Sequence, residues 1–123
     1  MLWRLWSPSW PDSDDEFERS AASLTNPDFV EVAVHSYRHR FGLVAGDPAY
    51  ADIERRLALQ PDVTVPTVNL DGADDGVLAA RTEAHGEHFT GGYDYRLLPG
   101  VGHNPPQEDP VAFTDAILSV AGR

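Results

Sequence analysis

Cysteine is missing altogether from the 123 residues. That excludes disulfides, thiolate metal sites and a cysteine nucleophile, and it fits a cytoplasmic setting. Basic residues are scarce: nine Lys plus Arg stand against 20 Asp plus Glu, a formal net charge of -11. Such a surface repels phosphate backbones and anionic lipid, so nucleic acid and membrane are disfavoured as partners. Long apolar runs are also lacking, and none approaches the roughly 18 residues of a membrane span. The opening "MLWRLWSPSWPDSDD" has no apolar h-region and no small-residue cleavage site, so it does not read as a signal peptide. No internal repeat or low-complexity tract is present. The hydrophobic share, 41%, is that of a folded globular chain rather than a disordered one.

Proline and glycine cut the chain into short elements. "SDDEFERSAASL", 13 to 24, predicts a helix with Ser13 as cap, acids in the first turn, and Phe17, Ala21 and Leu24 on one face. "NPDFVEVAVHSYRHRFG", 26 to 42, predicts a second, with Asn26 as N-cap, Pro27 at the first helical position and Gly42 as the stop. A third runs over 47 to 61 behind Asp47 and Pro48. These helices are short and weakly cored, and read as a cover rather than a self-sufficient bundle.

The character changes near residue 63. "VTVPTVNL" reads as a strand ending in the turn cluster "DGADDG". A helix is expected over 77 to 89, a strand over 93 to 99, and a closing helix over 109 to 122 with Phe113, Ile117 and Val120 on one face. Strand, helix, strand, helix implies a right-handed crossover between parallel strands, with chemistry at their carboxyl ends. The chain thus divides into a helical segment, 1 to 62, and a β-α-β-α unit of an α/β fold, 63 to 123. Two parallel strands are too few for a stable sheet. The unit is expected to be the last piece of a larger doubly wound sheet, with an open strand edge that invites association, including self-association.

Two groups stand where such a sheet places chemistry. Asp74 and Asp75 follow the first strand, and His103, in "LLPGVGHNPP", follows the second. Adjacent strands lie about 4.8 Å apart, so these loops can bring a carboxylate to an imidazole. The carboxylate would fix the ring tautomer, leaving the second nitrogen as general base. A nucleophile on a turn of the form G-x-Nu-x-G is not found: the serines lack that context, and Asp71 is flanked by Asn69 and Ala73. His35 and His39 share a helical face without an identifiable third ligand, so no metal is expected. The "DGADDGVLAARTE" stretch fails as a calcium loop, with Ala73 and Thr82 at ligand positions.

From about residue 26 onward, "VPTVNLDGADDGV" and "YRLLPGVGHNPPQEDPVAFTDAIL" resemble the acid turn and histidine loop of α/β-hydrolase-fold proteins, in the subgroup of epoxide hydrolases and haloalkane dehalogenases. The resemblance implies a partial α/β-hydrolase fold: a helical lid segment, then the C-terminal part of the core. It implies Asp75 as catalytic acid, His103 as base, and hydrolysis of a small-molecule ester, epoxide or carbon–halogen substrate through a covalent intermediate, without cofactor or metal. "HSYRHR" is similar to the Tyr-Arg of epoxide-hydrolase lids, which makes Tyr37 an electrophilic, substrate-binding donor. The N-terminal half of that fold, with its nucleophile and oxyanion loop, has no counterpart here. The chain is therefore expected to be a truncated or split form, inactive unless completed by such a half. The alternatives are a non-catalytic acidic module that binds a partner through its strand edge, and a remnant without an autonomous fold.

Overall fold

Pro66 has no N–H to give to a ladder, and the first strand, β1, begins at the next residue, Thr67–Gly72. In the computed structural model of the chain, which describes residues 2–77 and 81–122, β1 pairs in parallel with β2, Tyr93–Leu98. The register runs from Thr67 opposite Tyr93 to Gly72 opposite Leu98. Val63, expected inside the strand, makes only an isolated parallel bridge to Phe89. Among the described residues, β1 pairs with no other strand.

The chain divides into two compact units, Met1–Glu16 with Asp62–Arg123, and Phe17–Pro61. The first contains both strands, the short helix α1, Leu2–Trp6, and two C-terminal helices, α5, Pro105–Glu108, and α6, Pro110–Ala121. Asp109 starts α6 by accepting the Ala112 N–H at 2.9 Å, with Pro110 at a position that needs no donor. α6 and β1 border an apolar cavity of about 370 Å³, lined by Val68, Leu70, Phe113, Ile117 and Val120 among others. Among the described residues seven are buried, Ser7, Ser13, Asp71, Gly72, Val101, Gly102 and Ala116, and all belong to this unit.

The helix expected over 77 to 89 is replaced, where described, by a 3-10 helix, Thr82–His88; residues 78–80 of that expectation lie outside the described residues. Hydrogen bonding explains the change. Asp71 takes both the Thr82 N–H and its hydroxyl, at 2.9 and 2.7 Å, and Arg81, extended at φ -68° and ψ 144°, turns back to the Gly72 and Ala73 carbonyls. The chain is thereby pulled to the end of β1 before an α-helical ladder can form.

The acids of "SDDE" open α2, Ser13–Ser20, at the end of the first unit's N-terminal segment; its residues from Phe17 on belong to the second unit, where a 3-10 turn follows over Ala21–Thr25. α3 spans Phe29–Arg40 and starts later than its Asn-Pro signal. The Asn26 side chain accepts the Asp28 N–H at 3.0 Å, which holds Pro27 and Asp28 in a turn. Gly42, at φ +69°, ends the helix: Gly42 N–H reaches the His39 carbonyl and Leu43 N–H the Arg38 carbonyl, at 2.9 and 2.8 Å. The expected helix over 47 to 61 is a 3-10 turn, Pro48–Tyr50, followed by α4, Ala51–Leu57. It stops short because Gln60 takes a left-handed φ of 47° ahead of Pro61. No residue from 17 to 61 is buried.

Candidate active site

Each strand hands over to a loop at its carboxyl end. After β1, Ala73 N–H bonds the Leu98 carbonyl and Asp74 N–H the Val101 carbonyl, both at 2.9 Å, so the acid turn stays stitched to the neighbouring strand and its loop. Gly72 is required at this crossing: a Cβ there would sit 2.0 Å from the Gly102 carbonyl oxygen. Asp74 is exposed and Asp75 is not. One Asp75 oxygen, Oδ1, accepts the Val77 N–H at 2.7 Å. The other, Oδ2, lies 2.9 Å from His103 Nδ1.

An ionised carboxylate can only accept, so this bond needs its proton on Nδ1, and in the neutral ring that leaves the lone pair on Nε2. The Asp75 side chain is 9% exposed and the imidazole 40% exposed. The carboxylate is thus withdrawn from solvent while the ring presents a face to it. That is the arrangement in which an acid orients a base that meets a solvent-borne reactant. Trp6 closes one side of the ring edge-on, with centroids 5.3 Å apart at 62°.

The histidine loop is held through its backbone. His103 N–H reaches Ser7 Oγ at 2.9 Å and the Trp6 carbonyl at 3.2 Å. The same Trp6 carbonyl accepts Gly76 N–H at 3.0 Å, so one peptide oxygen ties the acid loop to the histidine loop. Asn104 Nδ2 also donates to Ser7 Oγ, at 3.1 Å. Gly102 and Asn104 give their N–H groups to the two carboxylate oxygens of Glu108. Ser7 is 1% exposed, and a Cβ on Gly102 would lie 2.4 Å from Ser7 Cα.

Reasoning from sequence does not reach Ser7, Trp6 or Glu108. Ser7 and His103 lie 96 residues apart, and "WSPSW" carries no periodicity that announces its partner. Glu108 has a local signal: an acid four residues after Asn104, behind the Pro-Pro that opens α5. Asp71, which lacks the flanking glycines of a nucleophile turn and opens a calcium loop that fails at Ala73 and Thr82, is a buried anchor. Burial alone would push its carboxyl up, but the Thr82 N–H, the Thr82 and Tyr95 hydroxyls and the Asn69 amide together hold it below the usual carboxylate range. The Tyr95 phenol is raised in turn, first by desolvation and then by donating to Asp71 at 3.0 Å.

Asp75 and His103 therefore meet, whereas Tyr37 stands on α3 in the other compact unit, 56% exposed. His35 and His39 stack at 6.4 Å between centroids. Among the described residues no three His, Cys, Asp or Glu side chains are grouped as a metal would need, and no helix is long and apolar enough to cross a membrane.

No family model matches the chain, and no curated protein matches it. A solved structure does: the crystal structure of a "putative epoxide hydrolase" from Klebsiella pneumoniae subsp. pneumoniae, 44% identical, superimposes with a TM-score of 0.93 over 99% of this chain. The match covers 41% of that protein, so this chain spans about two fifths of its length. The parallel strands, the flanking helices and this match together make the fold a partial α/β-hydrolase fold, and the chain a relative of the epoxide-hydrolase-like α/β-hydrolases.

Proposed function

We propose that Asp75 and His103 are the acid and base of a nucleophile–histidine–acid hydrolase, and that the chain works together with a portion of the fold that carries the nucleophile. The observation that supports this reading is the 2.9 Å contact between His103 Nδ1 and Asp75 Oδ2 at the carboxyl ends of adjacent parallel strands, with the acid shielded and the ring open. The nucleophile attacks an ester, epoxide or carbon–halogen carbon and forms a covalent intermediate as the alcohol leaves, the epoxide C–O bond opens or the halide departs. His103 Nε2 then takes a proton from water, the hydroxide attacks the intermediate and breaks the ester bond that joins it to the nucleophile, and the imidazolium passes its proton to the departing group or to solvent as the product leaves. Asp75 holds the imidazolium that forms. No step in this sequence calls for a metal or an organic cofactor.

The name of the Klebsiella protein favours an epoxide among these substrates. For an epoxide, the Tyr37 hydroxyl on α3 would donate a proton to the opening ring oxygen, and the helices of the 17–61 unit would serve as a lid. The nucleophile-bearing portion would join along the free edge of β1. A cysteine-free chain suits a cytoplasmic enzyme of this kind.

The test is reconstitution. The chain is mixed with the portion of the Klebsiella protein that it does not match, and hydrolysis of an aryl epoxide, an aryl ester and a haloalkane is followed. Turnover of at least one substrate is expected, falling by about 10²- to 10⁴-fold with His103→Gln or Asp75→Asn. Turnover that survives His103→Gln would overturn the assignment of the base, and absence of turnover with all three substrates would count against the split arrangement. Tyr37→Phe should slow the epoxide by about 10²-fold and leave the ester unchanged.

A further inference from the structure

His103 stands in the middle of three consecutive backbone N–H groups, none of which is left to solvent. Its own goes to Ser7 Oγ and the Trp6 carbonyl. The two that flank it go to a single side chain: Gly102 N–H donates to Glu108 Oε2 at 2.7 Å, and Asn104 N–H to Glu108 Oε1 at 2.9 Å. Glu108 is half-buried and ends the one-turn helix α5 that begins immediately after the loop. Its carboxylate therefore straddles the histidine: it holds the Val101–Gly102 peptide before it and the His103–Asn104 peptide after it, while Ser7 and Trp6 hold the Gly102–His103 peptide between them. Hydrogen bonds from N–H groups to a carboxylate are about twice as strong as those to a neutral acceptor. The bond from Asn104 acts on a peptide that His103 shares, and so bears directly on where its Cα–Cβ bond points; the bond from Gly102 fixes the residue before it.

We infer that Glu108 is a positioning residue for His103, holding the imidazole in line with Asp75. This rests on the reading of His103 as the general base. The effect comes from geometry. His103 is held at its ring by a hydrogen bond to Asp75 and an edge contact with Trp6, and the ring is part-exposed, so its orientation also depends on the backbone that carries it. A displacement of about 1 Å at a base costs on the order of 10²-fold in rate. Ser7 acts in the same sense, since its hydroxyl receives both the His103 N–H and the Asn104 side-chain amide.

The deciding experiment reads the ring nitrogens of His103 by ¹⁵N NMR in the full chain, which needs no substrate, and then kcat and KM in the reconstituted enzyme. In the unsubstituted chain the neutral ring is expected to carry its proton on Nδ1. Glu108→Ala should return the two nitrogens towards the mixed tautomers of a free imidazole and shift the Gly102 and Asn104 amide signals, while the β1 and β2 amides keep their positions. It should lower kcat by about 10- to 100-fold with KM unchanged. Glu108→Gln keeps one carbonyl oxygen as acceptor and should recover part of both effects. It is the variant to read if Glu108→Ala does not fold. A His103 ring that keeps its tautomer in both variants, with kcat intact, overturns the inference. If His103→Gln leaves turnover unaltered while Glu108→Ala still frees the ring, the catalytic reading has failed and the positioning role stands.

Discussion

α3 carries three valines, a phenylalanine and a tyrosine, and none of them is buried. The unit formed by residues 1–16 and 62–123 contains all seven of the buried residues among those described, and three of them, Ser7, Ser13 and Asp71, are polar. Judged by side-chain hydrophobicity alone, the expected order would be the reverse. The contrast shows what orders this chain. Around the candidate site, burial follows backbone crossings and hydrogen bonds: Ser7 and Asp71 are withdrawn from water because several N–H and O–H groups converge on them. The apolar face of α3 has no such convergence, and its side chains stay half-exposed or more open.

The sharpest way to break the contrast is to crowd the crossing. In Gly72→Ala the new Cβ would meet the Gly102 and Val101 carbonyl oxygens at 2.0 and 2.5 Å, and both are backbone atoms that cannot rotate away. The strand end and the histidine loop would have to part. A loss of about 3 kcal/mol or more is expected, read as a fall in the urea midpoint followed by tryptophan fluorescence. The ring nitrogens of His103 should also lose their Nδ1–H preference. An unchanged midpoint would show that the two loops are not packed as described.

A smaller effect should follow from Asp71→Asn. The amide keeps the shape but turns an NH₂ towards donors, so the Thr82 and Tyr95 bonds cannot all be kept. A cost of about 2 kcal/mol at neutral pH is expected. The pH dependence sharpens the test. The folded carboxyl is held below its ordinary value, so its contribution is fully present above the unfolded value of about 3.9 and is lost as pH falls below it. The acid limb of the unfolding curve should therefore be shallower in Asp71→Asn. An identical acid limb in the two proteins would mean that Asp71 is not the anchored anion.

Much of this arrangement is legible in the sequence. The proximity of Asp75 and His103 follows from two β-rich runs joined by a crossover, because loops at the same end of neighbouring parallel strands must approach. The closing helix follows from the Asp109-Pro110 start and the spacing of Phe113, Ile117 and Val120. The boundaries are less legible. Asn26 and Asp71 move or remove helix starts by hydrogen bonds that composition does not reveal, and Pro66 and Gln60 shorten elements by backbone geometry. The supports of the histidine are least legible. Ser7 acts across 96 residues, and its environment exists only once the chain has folded.

The smallest predicted change is the strictest check on the opposite half of the comparison. Val30 lies on α3 with 67% of its surface exposed, so removing two methyl groups takes little apolar area out of a packed environment. Alanine is also the better helix former by a few tenths of a kcal/mol, and the two effects oppose each other. Val30→Ala should therefore leave stability within about 0.5 kcal/mol, and the His103 ring nitrogens untouched. A loss of more than about 1 kcal/mol, beyond what an exposed site can supply, would mean that Val30 is covered in solution. The apolar face of α3 would then be a packed surface, and the contrast between the two units would be one of partners rather than of internal order.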